Sequence, residues 1–267
     1  MVTRPLCTPV TVHHEEDGRP DAPPLVLSHP LGTDLRIWQP LITPLARSFR
    51  VISYDQRGHG ASPSPTGPYS IDQLGSDALA LLDRLGLERV NFAGISLGGM
   101  VGLWLAANAP ERLDRLVVCS ASAWLGDASV WTDRAAIVRD NGTVAIADGT
   151  VHRWVGPRFA EQHPDLIDRL IARFVGTTDE GYAACCEALG DLDLRADLAR
   201  ILTPTLVLAG REDAAIPVDH AEYLAANIPT AHLAILEDAG HVAPLEQGEA
   251  FLDHLRAHLD HTLFEPA

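Results

Sequence analysis

Residues 94–98 read Gly-Ile-Ser-Leu-Gly, and no other stretch constrains the fold of this chain as tightly. A strand-like run, Arg-Val-Asn-Phe-Ala at 89–93, leads into it, and a helix-like run at 99–108 leads out. A serine on so sharp a strand-to-helix turn has a strained backbone, and side chains two positions to either side would collide. Gly94 and Gly98 remove those side chains. The turn then lifts the Ser96 hydroxyl clear of the sheet and sets it at a helix N-terminus, where free N–H groups and the helix dipole favour developing negative charge. So flanked, the pentapeptide marks Ser96 as a candidate nucleophile and demands a strand–turn–helix unit around it.

The rest of the chain repeats that alternation. Residues 24–28 (Pro-Leu-Val-Leu-Ser), 50–54, 113–120, 205–209 and 232–236 read as strands. Residues 72–86 have helical spacing, with Leu74, Ala78, Leu81, Leu82 and Leu85 on one face and Gly86 as the stop, and 218–227 and 246–260 read as further helices. Such alternation predicts an α/β fold, a mostly parallel sheet covered by helices on both faces. The rhythm breaks at 124–195, a helical segment carrying Trp131 and Trp154 with no clear buried strand. Residues 1–123 and 196–267 are therefore expected to form the core. Residues 124–195 are expected to form a helical cap above the C-terminal edge of the sheet, where α/β proteins bind ligands. Residues 62–69, rich in proline, read as a rigid connection.

Composition narrows the chemistry. At 267 residues and 46% apolar content the chain can bury one large core. No run reaches the roughly 18 apolar residues of a membrane span, and the first residues lack the pattern of a secretory signal. Cys7, Cys119, Cys185 and Cys186 show no C-x-x-C pairing and read as reduced thiols of a cytoplasmic protein. A net charge of −16 disfavours nucleic acid and anionic membranes as partners. All 20 cationic side chains are arginine, so Schiff-base lysine chemistry and a Walker-type lysine are excluded. Arg, His or backbone N–H groups must hold any anionic substrate.

A serine hydroxyl is a weak nucleophile until a base within hydrogen-bond reach takes its proton, and the base needs an anion to fix its tautomer. In the order serine, acid, histidine, the candidates are Ser96, Asp213 and His241. Asp213 follows the strand-like run at 205–209, with Glu212 as a competing acid, and His241 follows the run at 232–236. Both fall at strand C-terminal ends, on the same rim as Ser96. His29 and His59 compete with His241 but precede the serine, while His13, His14, His254, His258 and His261 are expected on the surface. Acyl chemistry also needs two N–H donors for an oxyanion. One is expected from Leu97. The other is expected from the loop His29-Pro30-Leu31-Gly32, where Pro30 has no N–H and Leu31 must therefore donate. The loop at 55–62, Asp-Gln-Arg-Gly-His-Gly-Ala-Ser, is expected to be structural, with Arg57 and His59 tying loops together.

Taken together, the Ser-Asp-His order, the Asp-x-Arg-Gly-His-Gly loop and the helical insertion resemble the α/β-hydrolase superfamily along the entire chain. Within it the chain is similar to 3-oxoadipate enol-lactonases of the β-ketoadipate pathway. Leu-Ser-His-Pro-Leu-Gly-Thr at 27–33, Tyr-Asp-Gln-Arg-Gly-His-Gly-Ala-Ser-Pro at 54–63, Gly-Pro-Tyr-Ser-Ile-Asp at 67–72 and Gly-Ile-Ser-Leu-Gly-Gly-Met at 94–100 carry the likeness. So do Ala-Pro-Glu-Arg-Leu at 109–113, Val-Trp at 130–131 and, in the insertion, Glu-Gly-Tyr-Ala-Ala-Cys-Cys at 180–186. A likeness in the cap weighs more than one in the shared core, because the cap shapes the substrate pocket. The elbow departs conservatively from Gly-Leu-Ser-Met-Gly-Gly. The histidine loop, Gly-His-Val-Ala-Pro-Leu-Glu at 240–246, is closer to general esterases.

The resemblance implies a small lactone or ester substrate that keeps a free carboxylate, and no metal or organic cofactor. It makes Arg134 in the cap the candidate carboxylate partner and places Trp131 and Trp154 against the substrate, their alternative being cap-to-core packing. A single chain and a homo-oligomer are both compatible with it. Another ester, lactone or thioester hydrolase, a cofactor-free perhydrolase with the same triad, and a hydrolase-like receptor without turnover remain open. Haloalkane dehalogenation is disfavoured, because its elbow carries aspartate where this chain has Ser96.

Overall fold

Unbroken runs of Val, Leu and Ile can be buried only between two layers. The structure, a computed structural model that describes residues 8–260, places them there. Its strands are β1 (His14–Asp17), β2 (Pro24–Ser28), β3 (Arg50–Tyr54), β4 (Val90–Ile95), β5 (Leu113–Cys119), β6 (Thr205–Gly210) and β7 (Ala231–Leu236). Among the described residues they form one seven-stranded sheet in the order β1-β3-β2-β4-β5-β6-β7. Every pairing is parallel except that of β1 with β3. Both faces are covered, since β4 and β6 are buried at every position.

The helices are α1 (Gln39–Leu45), α2 (Ile71–Arg84), α3 (Leu97–Asn108), α4 (Ala128–Asn141), α5 (Ala147–His152), α6 (Pro157–Gln162), α7 (Pro164–Val175), α8 (Asp179–Gly190), α9 (Val218–Asn227), α10 (Ala243–Glu246) and α11 (Gly248–Leu259). α2 starts on a capping box in which Ser70 and Gln73 satisfy each other's backbone N–H. α3 packs on β2, β4 and β5, and α11 packs on β5 and β7.

The strand order creates the site. From β2 the chain moves outward to β3, then crosses back over β2 to β4, so the loops after β2 and β4 leave in opposite directions. At such a switch point a crevice opens outside the carboxyl ends of the strands. Between β5 and β6 the chain lays down α4 to α8, with α4 packed along α8. The two ends of this segment meet at its base. Trp124 and Asp193 form an isolated antiparallel bridge, and the Leu194 N–H donates to Ala123 O at 2.8 Å.

The Glu-Gly-Tyr-Ala-Ala-Cys-Cys stretch opens α8 and touches the loop at 55–69. A side chain on Gly181 would run into the Gly58 backbone, and one on Gly67 would meet Ala184. The Gly67 N–H donates to Glu180 Oε1 at 2.8 Å. The core loop and the cap helix are thus two halves of one contact, which accounts for the glycines in both.

Three expectations need correction. β1, a polar edge strand, is an additional element at the margin of the sheet. The last helix starts at Gly248 and not at 246, because Gln247 lies outside helical conformation and separates it from the short α10. His258 is fully buried and not at the surface, because the helical spacing of Phe251, Leu255 and His258 turns it to the core face. Burial and the nearby Arg115 push its pKa down to about 3. His13 is exposed, His14 and His254 are half-buried, and His261 lies outside the described residues. Cys119, Cys185 and Cys186 are buried free thiols, and burial pushes each of them up. Cys7 lies outside the described residues. Among those residues no helix is long and apolar enough to cross a membrane.

Candidate active site

Ser96 sits between β4 and α3 with φ 53° and ψ −118°, a conformation that costs a non-glycine residue about 1–3 kcal/mol. Backbone bonds hold it there: its N–H donates to Cys119 O at 2.8 Å, and its carbonyl accepts from the Met100 N–H at 2.9 Å. The expected role of the flanking glycines is visible in the packing. A Cβ on Gly94 would strike the Gly98 backbone, and one on Gly98 would strike the Ser28 carbonyl of β2. Leu97, the first residue of α3, has an N–H with no acceptor inside the helix.

Asp213 and His241 come from the loops after β6 and β7. These loops are stitched together by Arg211 N–H to Leu236 O and Glu212 N–H to Ala239 O, at 2.9 and 2.8 Å. His241 Nδ1 lies 2.8 Å from Asp213 Oδ2. The other oxygen, Asp213 Oδ1, accepts from the N–H groups of Ala215 and Ile216, both at 2.8 Å. An ionised carboxylate accepts only, so Nδ1 carries the ring proton and Nε2 is left with its lone pair. Both side chains are buried. Glu212, the competing acid, is exposed.

The loop after β2 is held by a pair of neutral histidines. The Gln56 N–H donates to His29 Nε2 at 2.9 Å, and His29 Nδ1 therefore donates to Pro30 O at 2.8 Å. In the same way the Gly32 N–H donates to His59 Nε2 at 3.0 Å, and His59 Nδ1 donates to Arg57 O at 3.1 Å. Complete burial lowers His29 to about 4 and, with His29 beside it, His59 to about 3. With Pro30 lacking an N–H and Gly32 committed to His59, Leu31 is the remaining donor of residues 30–32. His29 and His59 are therefore built into the scaffold.

Ser96, His241 and Leu31 line one cavity of about 270 Å³, roofed by Trp131, Arg134, Thr150, Arg153, Trp154 and Tyr182. That volume is near the low end of the roughly 300–1,000 Å³ typical of small-molecule sites. All three expected cap residues face it, and Trp154 also packs on Phe174, with ring centroids 5.6 Å apart. Arg134 is held by neutral groups. Its Nε donates to Tyr182 Oη at 2.8 Å, an Nη donates to Thr150 Oγ1 at 2.6 Å, and the guanidinium lies 5.6 Å from the Tyr182 ring centre. Among the described residues no carboxylate pairs with it.

Tyr182, Thr150, Arg153 and His220 also line the cavity without having been singled out from sequence. His220 Nδ1 lies 2.7 Å from Ser122 Oγ. Tyr182 falls inside the 180–186 stretch that carried the family likeness; the others have no local signal. Among the described residues no three His, Cys, Asp or Glu side chains are grouped to hold a metal ion.

Comparison with known proteins agrees with this architecture. The family described as alpha/beta hydrolase fold matches residues 23–152. The chain is 42% identical to 3-oxoadipate enol-lactonase 2 of Acinetobacter baylyi, over 91% of this chain and 90% of that protein. The enol-lactonase from Burkholderia xenovorans LB400 superposes with a TM-score of 0.91 at 39% identity, covering 93% of this chain and 96% of that one. A thermophilic esterase from Thermogutta terrifontis, solved with malate bound, superposes at 0.89 with 29% identity, covering 94% and 93%.

Proposed function

We propose that this chain, an ester or lactone hydrolase belonging to the α/β-hydrolase fold family, opens 3-oxoadipate enol-lactone to 3-oxoadipate through an acyl-enzyme on Ser96. The observation that carries the substrate is Arg134, a guanidinium with no carboxylate partner among the described residues, held in the same cavity as Ser96. A cation in the pocket with no counter-ion of its own is the complement of a substrate carboxylate. The names of the Acinetobacter and Burkholderia relatives support the lactone.

In this reading Ser96 Oγ attacks the lactone carbonyl carbon as His241 Nε2 takes its proton. Asp213 holds the Nδ1–H tautomer and stabilises the imidazolium. The Leu31 and Leu97 N–H groups donate to the carbonyl oxygen and stabilise the charge that develops on it. Collapse breaks the ring C–O bond and expels the enol oxygen, which takes the proton from His241 and tautomerises to the ketone. Water, deprotonated by His241, attacks the acyl-serine; the C–Oγ bond breaks, Ser96 Oγ takes the proton back from His241, and the second carboxylate of 3-oxoadipate is released. These steps draw only on water and on side chains and backbone N–H groups of this chain. Residues 124–195 act as the cap that roofs the cavity, and the partner is a small carboxylate-bearing lactone.

The test is the ultraviolet decay of the enol-lactone compared with cleavage of an aryl acetate. Lactone turnover far above ester turnover supports the reading. Ester cleavage without lactone turnover moves the protein to another ester hydrolase on the same triad. Replacing Arg134 by leucine separates the two substrates further. Hydrogen bonds to charged groups contribute about 1.5–3 kcal/mol, so kcat/KM for the lactone should fall roughly 10- to 100-fold, mostly through KM. The aryl acetate, which has no carboxylate, should change less than about threefold on the same scale. Equal losses on both substrates would remove Arg134 from substrate recognition.

A further inference from the structure

The loop that carries His241 is bonded to the cap as well as to the core. The His241 and Val242 N–H groups both donate to Trp154 O, at 2.7 and 3.2 Å. Two residues beyond Trp154, the Gly156 N–H donates to Glu246 Oε2 at 2.7 Å. The other oxygen, Glu246 Oε1, accepts from the N–H of Gly240, the residue before His241, at 2.8 Å. The approach is too close for a side chain: a Cβ on Gly240 would lie 2.8 Å from Trp154 O and 3.0 Å from the Gly156 nitrogen. Trp154 itself lines the cavity that Ser96 and His241 share. One carboxylate thus joins the backbone beside His241 to the backbone beside a wall of the pocket.

We propose that Glu246 is a positioning residue, whose carboxylate clips the cap segment at 154–156 to the His241 loop and so fixes the spacing between base and pocket wall. The inference rests on His241 being the base of the proposed reaction. A carboxylate suits the task because both oxygens accept. A protonated carboxyl turns one oxygen into a donor, and a glutamine does the same with its amide, so either loses one of the two backbone bonds.

The surroundings make that protonation accessible near neutral pH. Glu212 and Asp213 face Glu246 from the loop after β6, and His241 and Asp238 come from the loop after β7. Arg158 and His163 line the same cleft from the cap. Burial, with the charges of Glu212 and Asp213, raises Glu246 to about 7 against the pull of the two N–H groups. The clip is therefore closed above that pH and loosens as pH falls through it. Its loss should appear in kcat as an inflection near that pH, one that Glu246→Gln removes.

The experiment follows the Gly156 and Gly240 amide signals by NMR between pH 5 and 9, in the wild-type protein and in Glu246→Gln. It is paired with kcat profiles on the enol-lactone and on an aryl acetate. The two amides are expected to titrate together with one midpoint near 7 in the wild type and to stay still in the variant. A displaced base loses rate steeply, so kcat above pH 8 should fall about tenfold in Glu246→Gln, with KM changed less than about threefold and the inflection near 7 gone. Glu246→Asp, too short to reach both amides, should fall between the two. Amides that titrate independently, or a variant whose kcat and pH profile match the wild type, would overturn the clip. So would a loss of rate that is equal at every pH. The wild-type amide titration decides the matter even if the variant folds poorly. It also needs no turnover, so it stands apart from the chemistry, which fails separately if Ser96→Ala keeps hydrolysing either substrate.

Discussion

Replacing Ser96 by alanine is expected to reduce kcat by roughly 10,000-fold or more on any substrate the protein hydrolyses, with no loss of folded structure. The rate effect follows from chemistry: without Oγ no acyl-enzyme forms, and the N–H groups of Leu31 and Leu97 can at most stabilise direct attack by water. The structural effect follows from the bonds Ser96 makes. Its backbone N–H and carbonyl are held by Cys119 and Met100, and alanine keeps both. Alanine also keeps the strain at φ 53°, because it has the same Cβ. Ser96→Gly is the informative companion. It should be equally inactive but should gain stability on the order of 1 kcal/mol, since glycine adopts this conformation without penalty. Activity assays and urea midpoints on the three proteins check both halves. Turnover preserved in Ser96→Ala would sink the acyl-enzyme mechanism. A Ser96→Gly protein less stable than Ser96→Ala would mean that the turn stores no strain.

What the sequence makes legible is whatever is local or set by close approach. The unit β4–Ser96–α3 can be read because Gly94 and Gly98 are demanded by backbone contacts that no larger residue could make. The parallel strands β2 to β6 can be read because burial on both faces leaves them almost no polar alternation. β1 cannot, since His-Glu-Glu-Asp at a sheet margin has no buried face to leave an apolar pattern and is held by its pairing with β3. The sequence names Asp213 ahead of Glu212 but does not show what decides their competition. It is decided by the turn that points Asp213 at the Ala215 and Ile216 N–H groups and leaves Glu212 in solvent. The partners of Arg134 come from α5 and α8, which are 16 and 48 residues away in the chain, so no spacing rule reaches them. Glu246 lies five residues after His241, yet its meaning depends on Gly156, which is 90 residues away from it.

The largest expected effect on stability lies away from the chemistry, at Asp77 in α2. Its carboxylate is paired with Arg57 through two bonds, Nε to Oδ2 at 2.5 Å and an Nη to Oδ1 at 2.7 Å, and it also accepts from the Val10 N–H at 2.8 Å. Both side chains are at most 3% exposed. Asp77→Asn preserves the shape but leaves the Arg57 charge buried without a counter-ion, a situation that costs about 3–5 kcal/mol. The urea midpoint should drop accordingly with an unchanged m-value. Breaking the exposed pair of Arg211 and Glu237 with Glu237→Gln should produce no measurable change, because water replaces what is lost. The double variant Arg57→Met with Asp77→Leu should regain much of the loss, because the penalty belongs to the uncompensated charge and not to the missing attraction. It should also keep the loop after β2 in place. The atom of Arg57 that accepts from His59, and so helps fix Gly32 beside Leu31, is its backbone carbonyl. A single variant within about 1 kcal/mol of the wild type would show that Arg57 finds water or another partner when Asp77 is neutral.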